Sequence, residues 1–146
     1  MLRYNQAMGE ITRDGVLLGS GYSGRGDGRN NPQMQSVRSV GPIPCGRYQI
    51  GPAYDTKSMG PLAIPLTPID HDALGRSGFF IHGDNKTSDA SHGCIILTRA
   101  LRVLISELRK QEEEIEVFSG IPEPIDFVEY PLDEAEGGRS GVQETI

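Results

Sequence analysis

The chain spreads 19 glycines and 10 prolines over 146 residues, about one residue in five, and this density of turn-formers constrains its fold more than any other feature. An average protein carries about one in eight. Helix interiors tolerate neither residue well, so short strands joined by many turns are expected rather than a helical bundle. The length fits one domain with a single core. No apolar run approaches the roughly 20 residues that span a bilayer. Met1-Leu2-Arg3-Tyr4-Asn5 shows no apolar signal-peptide core, so the expectation is a protein made in the cytoplasm without a Sec signal.

The net charge of −6 is unevenly placed. Residues 1–119 hold 13 acidic and 13 basic side chains, whereas residues 120–146 hold seven acidic ones and only Arg139 as a cation. A neutral body at 1–119 and an acidic C-terminal extension at 120–146, expected to be partly disordered, follow from that split. Neither part carries the basic field that nucleic-acid binding requires.

Leu2 to Asn5, Glu10 to Thr12 and Gly15 to Leu18 read as strands, with Asp14-Gly15 as a hairpin signal. The glycine-rich run Gly19 to Pro32 is expected to hold no regular element; no P-loop lysine follows it, so it reads as a surface loop. Arg47 to Ile50 and Phe79 to His82 read as strands, and the prolines between Pro61 and Pro68 suggest an edge strand. Thr98 is the expected cap of one helix near 98–110, its apolar stripe made of Leu101, Leu104, Ile105 and Leu108. Glu114 to Phe118 alternates as a last strand should.

The chemistry is concentrated between Gly75 and Ile96. A strand ends at Ile81-His82-Gly83-Asp84, and Ser91-His92-Gly93-Cys94 follows a short gap. A free thiol is only a few per cent thiolate at neutral pH, and a neighbouring imidazole that takes its proton would activate it as a nucleophile. A tight glycine turn would also aim the Gly93 and Cys94 amides at one carbonyl, as an oxyanion hole needs. Three readings of Cys94 stay open on residue types: a nucleophile, a buried structural cysteine, or a metal ligand with His82, Asp84 and His92, for which His-x-Cys is awkward spacing. Cys45 leaves one disulfide conceivable, but two cysteines do not make a disulfide-framed miniprotein.

The sequence Ile81-His82-Gly83, then Ser91-His92-Gly93-Cys94, resembles the active-site signature of YkuD-type L,D-transpeptidases. With Val16 to Gly24, Val40 to Pro44 and Gly75 to Asn85, the likeness over about residues 2–118 is greatest to the L,D-transpeptidase effectors of bacterial type VI secretion. The resemblance departs at Ile96, where housekeeping members usually carry Arg or Asn, and at His92, where the effectors more often carry an acidic residue.

The resemblance implies a mainly β fold, a compact β-sandwich with the one main helix near 98–110. It implies Cys94 as nucleophile, His82 as base with His92 and Ser91 in support, and Gly93 in the oxyanion turn. Arg76, Ser77, Gly83 and Asp84 are implied to meet the substrate, and a backbone or side-chain acceptor, with Ser77, Asp84 and Ser91 as candidates, to orient the imidazole; Lys86 and Arg99 are further candidates for its carboxylates. The substrate would be a peptidoglycan stem tetrapeptide, processed as an L,D-carboxypeptidase or by D-amino acid exchange. No cofactor or metal is needed. The partners implied are a cognate immunity protein and a secretion-apparatus component, with action in the periplasm of a target bacterium. A phage-encoded lysis role, a cysteine protease acting on proteins and a non-catalytic cell-wall binding module are the rival readings.

Overall fold

Asp14 and Gly15 both take positive φ, 50° and 83°, and turn the chain between two antiparallel strands, β2 (Glu10–Arg13) and β3 (Val16–Ser20). This is the geometry an Asp-Gly hairpin favours. The computed structural model describes residues 1–122; the expectations for the acidic extension from residue 123 onward lie outside the described residues.

The remaining strands are β1 (Leu2–Asn5), β4 (Tyr22–Ser23), β5 (Gly46–Ile50), β6 (Tyr54–Thr56), β7 (Gly60–Ile69), β8 (Phe79–His82), β9 (Ile95–Ile96) and β10 (Glu114–Phe118), with one α-helix, α1 (Arg99–Leu108). The fold is mainly β, and the strands form one mixed sheet in the order β3-β2-β1-β10-β5-β7-β8-β9-β4, with β6 paired to β7. β3 and β4 stand at opposite ends of that order, yet only Gly21 separates them in the chain. The sheet therefore curls until its ends meet. At the seam the Gly21 amide donates to Gly9 O at 2.8 Å, and a Cβ on Gly21 would fall 1.7 Å from Ile96 O. Only glycine lets the backbone pass there.

Period-two alternation fills the interior. Leu2 and Tyr4 of β1, Ile115 and Val117 of β10, and Phe79 and Ile81 of β8 all enter one buried cluster, joined by Leu101 and Ile105 of α1. Thr98 caps α1, its Oγ1 accepting the Leu101 amide at 3.3 Å. Leu104 departs from the expected stripe: it is exposed, and Arg102 is buried on the helix instead. The Arg102 guanidinium donates to Leu97 O at 3.1 Å and Pro61 O at 2.7 Å, so a charged side chain anchors the helix over β7.

Two other expectations are corrected. The segment Gly19 to Pro32 holds β4 and a 3-10 turn at Gly26–Gly28. The proline-rich strand is not an edge. β7 lies between β5 and β8, but it changes partners along its length: Gly60 and Ala63 face β6, Ile64 to Leu66 face β8, and Leu66 to Ile69 face β5. Most positions are thus bonded on one side only, and a proline still serves as an acceptor, as Pro65 O does for the Gly51 amide at 2.9 Å.

Candidate active site

β8 and β9 run parallel, with Ile81 opposite Ile95 and His82 opposite Ile96. Alternation sends Ile81 and Ile95 into the core. It places His82, and Cys94 just before β9, on the other face. Both side chains line one cavity of about 330 Å³, together with Ser58, Met59, Ala90 and His92. Cys94 is 9% exposed and His82 5%. The sulfur is therefore reachable but largely dehydrated.

His82 Nδ1 lies 2.9 Å from Gly83 O. A carbonyl only accepts, so Nδ1 carries the hydrogen and Nε2 of the neutral ring keeps its lone pair as a base. The orienting group is thus the backbone carbonyl of Gly83, not the side chain of Ser77, Asp84 or Ser91. Arg102 packs beneath this turn, where a Cβ on Gly83 would meet its Nη2 at 2.8 Å. Burial holds the His82 pKa below its ordinary value, against the Gly83 hydrogen bond that raises it. Burial also pushes the Cys94 thiol up to about 11, partly offset by the Phe80 backbone and the Arg76 charge. Burial therefore disfavours the charged form of both groups, and the Cys94 thiol donates to Gly78 O at 3.7 Å.

Ser91 is fully buried and organises the turn before Cys94. Its Oγ donates to Cys94 O and accepts the Gly24 amide at 2.8 Å and the Gly93 amide at 3.2 Å. The Gly93 amide is thereby engaged within the turn. Gly93 has φ 128°, and a Cβ there would lie 2.3 Å from Arg76 Nη2, so the turn needs glycine twice over.

Arg76 was expected to face substrate; it is buried instead, and its Nη1 donates to Gln35 O and Pro42 O and its Nη2 to Gly41 O and His92 O, at 2.6 to 3.2 Å. Four carbonyls occupy it, and it pins the Gly93-Cys94 turn to the 35–42 loop. Ser77 is exposed and lines a second cavity, of about 230 Å³, that Cys94 also borders. Gly83, Asp84 and His92 line a third, of about 540 Å³, on the His82 side. His92 is exposed and borders all three. Lys86 and Arg99 are exposed, and neither lines a cavity that Cys94 borders.

Residues missed in the sequence are Tyr22, which bonds Asp84, and Met59 and Ser58, brought to the sulfur by the turn between β6 and β7. Distance along the chain hid the second pair; an isolated tyrosine in a glycine-rich run carried no signal for the first. Cys45 is a free thiol bonded to Gln6 Oε1 at 3.2 Å, so no disulfide joins it to Cys94. Among the described residues no three His, Cys, Asp or Glu side chains gather as a metal site requires.

A curled, mainly β sheet carries a thiol just ahead of one strand and an oriented imidazole at the end of its parallel neighbour, both bordering one cavity. The Tlde1 domain matches residues 19–121 of the 146, and the chain belongs to that family, the L,D-transpeptidase effectors of type VI secretion. The match takes in β4 through β10, and with them Cys94, His82 and the cavities they border. No curated protein matches the chain. Among the described residues no helix is long and apolar enough to cross a membrane.

Proposed function

We propose that the chain is a cysteine enzyme acting on the stem tetrapeptides of peptidoglycan, as an L,D-carboxypeptidase and D-amino acid exchanger, and that it serves as an antibacterial effector in the periplasm of a target cell. One observation carries the reading: Cys94 and His82 border one cavity, with the ring's Nδ1 hydrogen committed to Gly83 O.

Because burial disfavours the charged form of both groups, proton transfer accompanies attack. The Cys94 sulfur bonds to the carbonyl carbon of the penultimate residue while its proton moves to His82 Nε2. The tetrahedral oxyanion takes the Cys94 amide; the Gly93 amide, held by Ser91, is not free for it. The imidazolium then protonates the departing amine, the C–N bond breaks, and a thioester and a free D-amino acid result. Water or the amine of another D-amino acid attacks the thioester, His82 accepts its proton, and the thiol is restored. Sulfur supplies the nucleophile, so the cycle needs no cofactor. Removing the terminal residue deprives crosslinking of its donors, which would make the activity toxic, and a producing cell would need an immunity protein that covers the groove.

Mass spectrometry of muropeptides incubated with wild-type and Cys94→Ala protein, with and without D-methionine, tests this. Tripeptide and D-methionine-ended products from the wild type alone support it. Intact muropeptides alongside cleavage of a denatured protein would transfer the site to proteolysis. Unchanged sedimentation with sacculi and no turnover by either protein would leave a binding module.

A further inference from the structure

The cavity that Cys94 borders without His82 is the most one-sided in charge around the site. Its wall holds Arg38 and Arg76, the hydroxyls of Ser39 and Ser77, the sulfur, and no carboxylate. The larger cavity beside His82 instead sets Asp84 and Asp89 against Arg25 and Arg102. Among the described residues neither Arg38 nor Arg76 makes an ion pair. Burial is the main cause that lowers the Arg76 pKa, and the nearby Arg38 charge adds to it. Two guanidinium groups in about 230 Å³ form a site built for an anion.

Only one of them is available to a ligand. Arg76 spends both terminal nitrogens on four backbone carbonyls. Arg38 is exposed and donates once, from Nη2 to Gly75 O at 3.0 Å, which steadies the side chain and leaves most of the donor fork. β9 offers no cation of its own, because Ile95 and Ile96 are both buried and apolar.

We propose that Arg38 binds the terminal α-carboxylate of the peptide whose last bond Cys94 attacks, and so restricts the enzyme to chain ends. The inference rests on the stem-peptide reading above for its substrate, and on the cavity alone for its chemistry. When the sulfur meets the penultimate carbonyl, the carboxylate of the last residue lies one residue further on, about 3.8 Å along the backbone. Of the two cavities that Cys94 borders, the one lined by Arg38 carries the arginines that suit a carboxylate at that reach, while the other holds Ser58, Met59, His82, Ala90 and His92. A free D-amino acid entering for exchange carries the same group, so one site serves the departing and the incoming residue.

The test compares alkylation of Cys94 by iodoacetate, which carries a carboxylate, and by neutral iodoacetamide. It is followed by peptide mass spectrometry at fixed pH in the wild type, Arg38→Gln and Arg38→Lys, with Cys45 as internal control. Loss of Arg38 is expected to lower the iodoacetate-to-iodoacetamide rate ratio at Cys94 by about 5-fold or more while leaving Cys45 unchanged, with Lys partly restoring it. An unchanged ratio overturns the proposal. In turnover, Arg38→Gln should lower kcat/KM about 10-fold or more for a tetrapeptide with a free carboxylate, chiefly through KM, and spare the C-terminal amide. An equal loss on both substrates also overturns it. A wild type that prefers iodoacetate at Cys94 but leaves tetrapeptides intact would defeat the stem-peptide reading and keep the anion site.

Discussion

The Tyr22 hydroxyl donates to Asp84 Oδ1 at 2.6 Å, and its own oxygen accepts the Ala90 amide at 3.0 Å. One phenol thus fastens both ends of the segment that links His82 to the Cys94 turn. Arg29 stacks over its ring at 3.8 Å and donates to Ser88 O, which steadies the middle of that segment. Tyr22→Phe keeps the ring and deletes both bonds. It should cost about 1–3 kcal/mol in chemical denaturation, and lower kcat roughly 10-fold with little change in KM, since the reacting groups lose their spacing. Unaltered kcat would mean that the phenol merely packs.

A neutral thiol–imidazole pair has a distinctive pH signature. The His82 base is lost only on acidification, so the rising limb of kcat/KM should have its midpoint below the ordinary histidine value of 6.5. Iodoacetamide labelling of Cys94 should climb steadily with pH towards the thiol value of about 11. A labelling midpoint under about 8.5, the ordinary thiol value, would show an ionised pair instead.

The same histidine links stability to pH. Its folded pKa lies below the unfolded one, so the unfolded chain binds the proton first as the solution is acidified. Its contribution is fully present above pH 6.5 and is lost as pH falls through the folded value. Urea melts across that window should show a shallower decline for His82→Gln than for the wild type.

Arg76 holds four carbonyls at the junction of the 35–42 loop and the Cys94 turn. Arg76→Met would leave those acceptors buried without their cation and should cost on the order of 3 kcal/mol or more. Arg76→Lys keeps the charge but not the fork and should recover only part of it. Thermal denaturation checks both, and a loss under about 0.5 kcal/mol, the scale of an ordinary surface change, would show that the contacts carry no weight.

Gly21→Ala places a methyl group against Ile96 O at the seam of the sheet. The change should prevent β4 from pairing with β9, and with it a cooperative unfolding transition by circular dichroism. Gly15→Ala, where a Cβ meets nothing within 4 Å, is the milder control: its positive φ of 83° brings strain without a clash.

What the sequence disclosed follows from how local each signal is. The Asp14-Gly15 hairpin, the Thr98 cap and the alternation of Glu114 to Phe118 are short-range patterns, and each appears in the structure where expected. That Cys94 and His82 border one cavity was legible because a strand ends at His82 and its parallel neighbour begins just after Cys94. The prolines of β7 misled because a single strand's composition does not reveal that it exchanges partners midway. Arg76 misled, and the burial of Arg102 gave no signal, for a related reason. What buries an arginine is a convergence of carbonyls from distant loops, such as Gln35, Gly41 and Pro42, and no spacing rule encodes it.

β10 sits between β1 and β5, with Leu2 beside Ile115 and Asn5 beside Phe118. β1 therefore has β2 beside it early but gains its second neighbour only once β10 has been made. Until position 118 emerges, β1 and β5 keep bare edges open to stray pairing. The order of synthesis itself sets the earliest moment at which the finished sheet can exist.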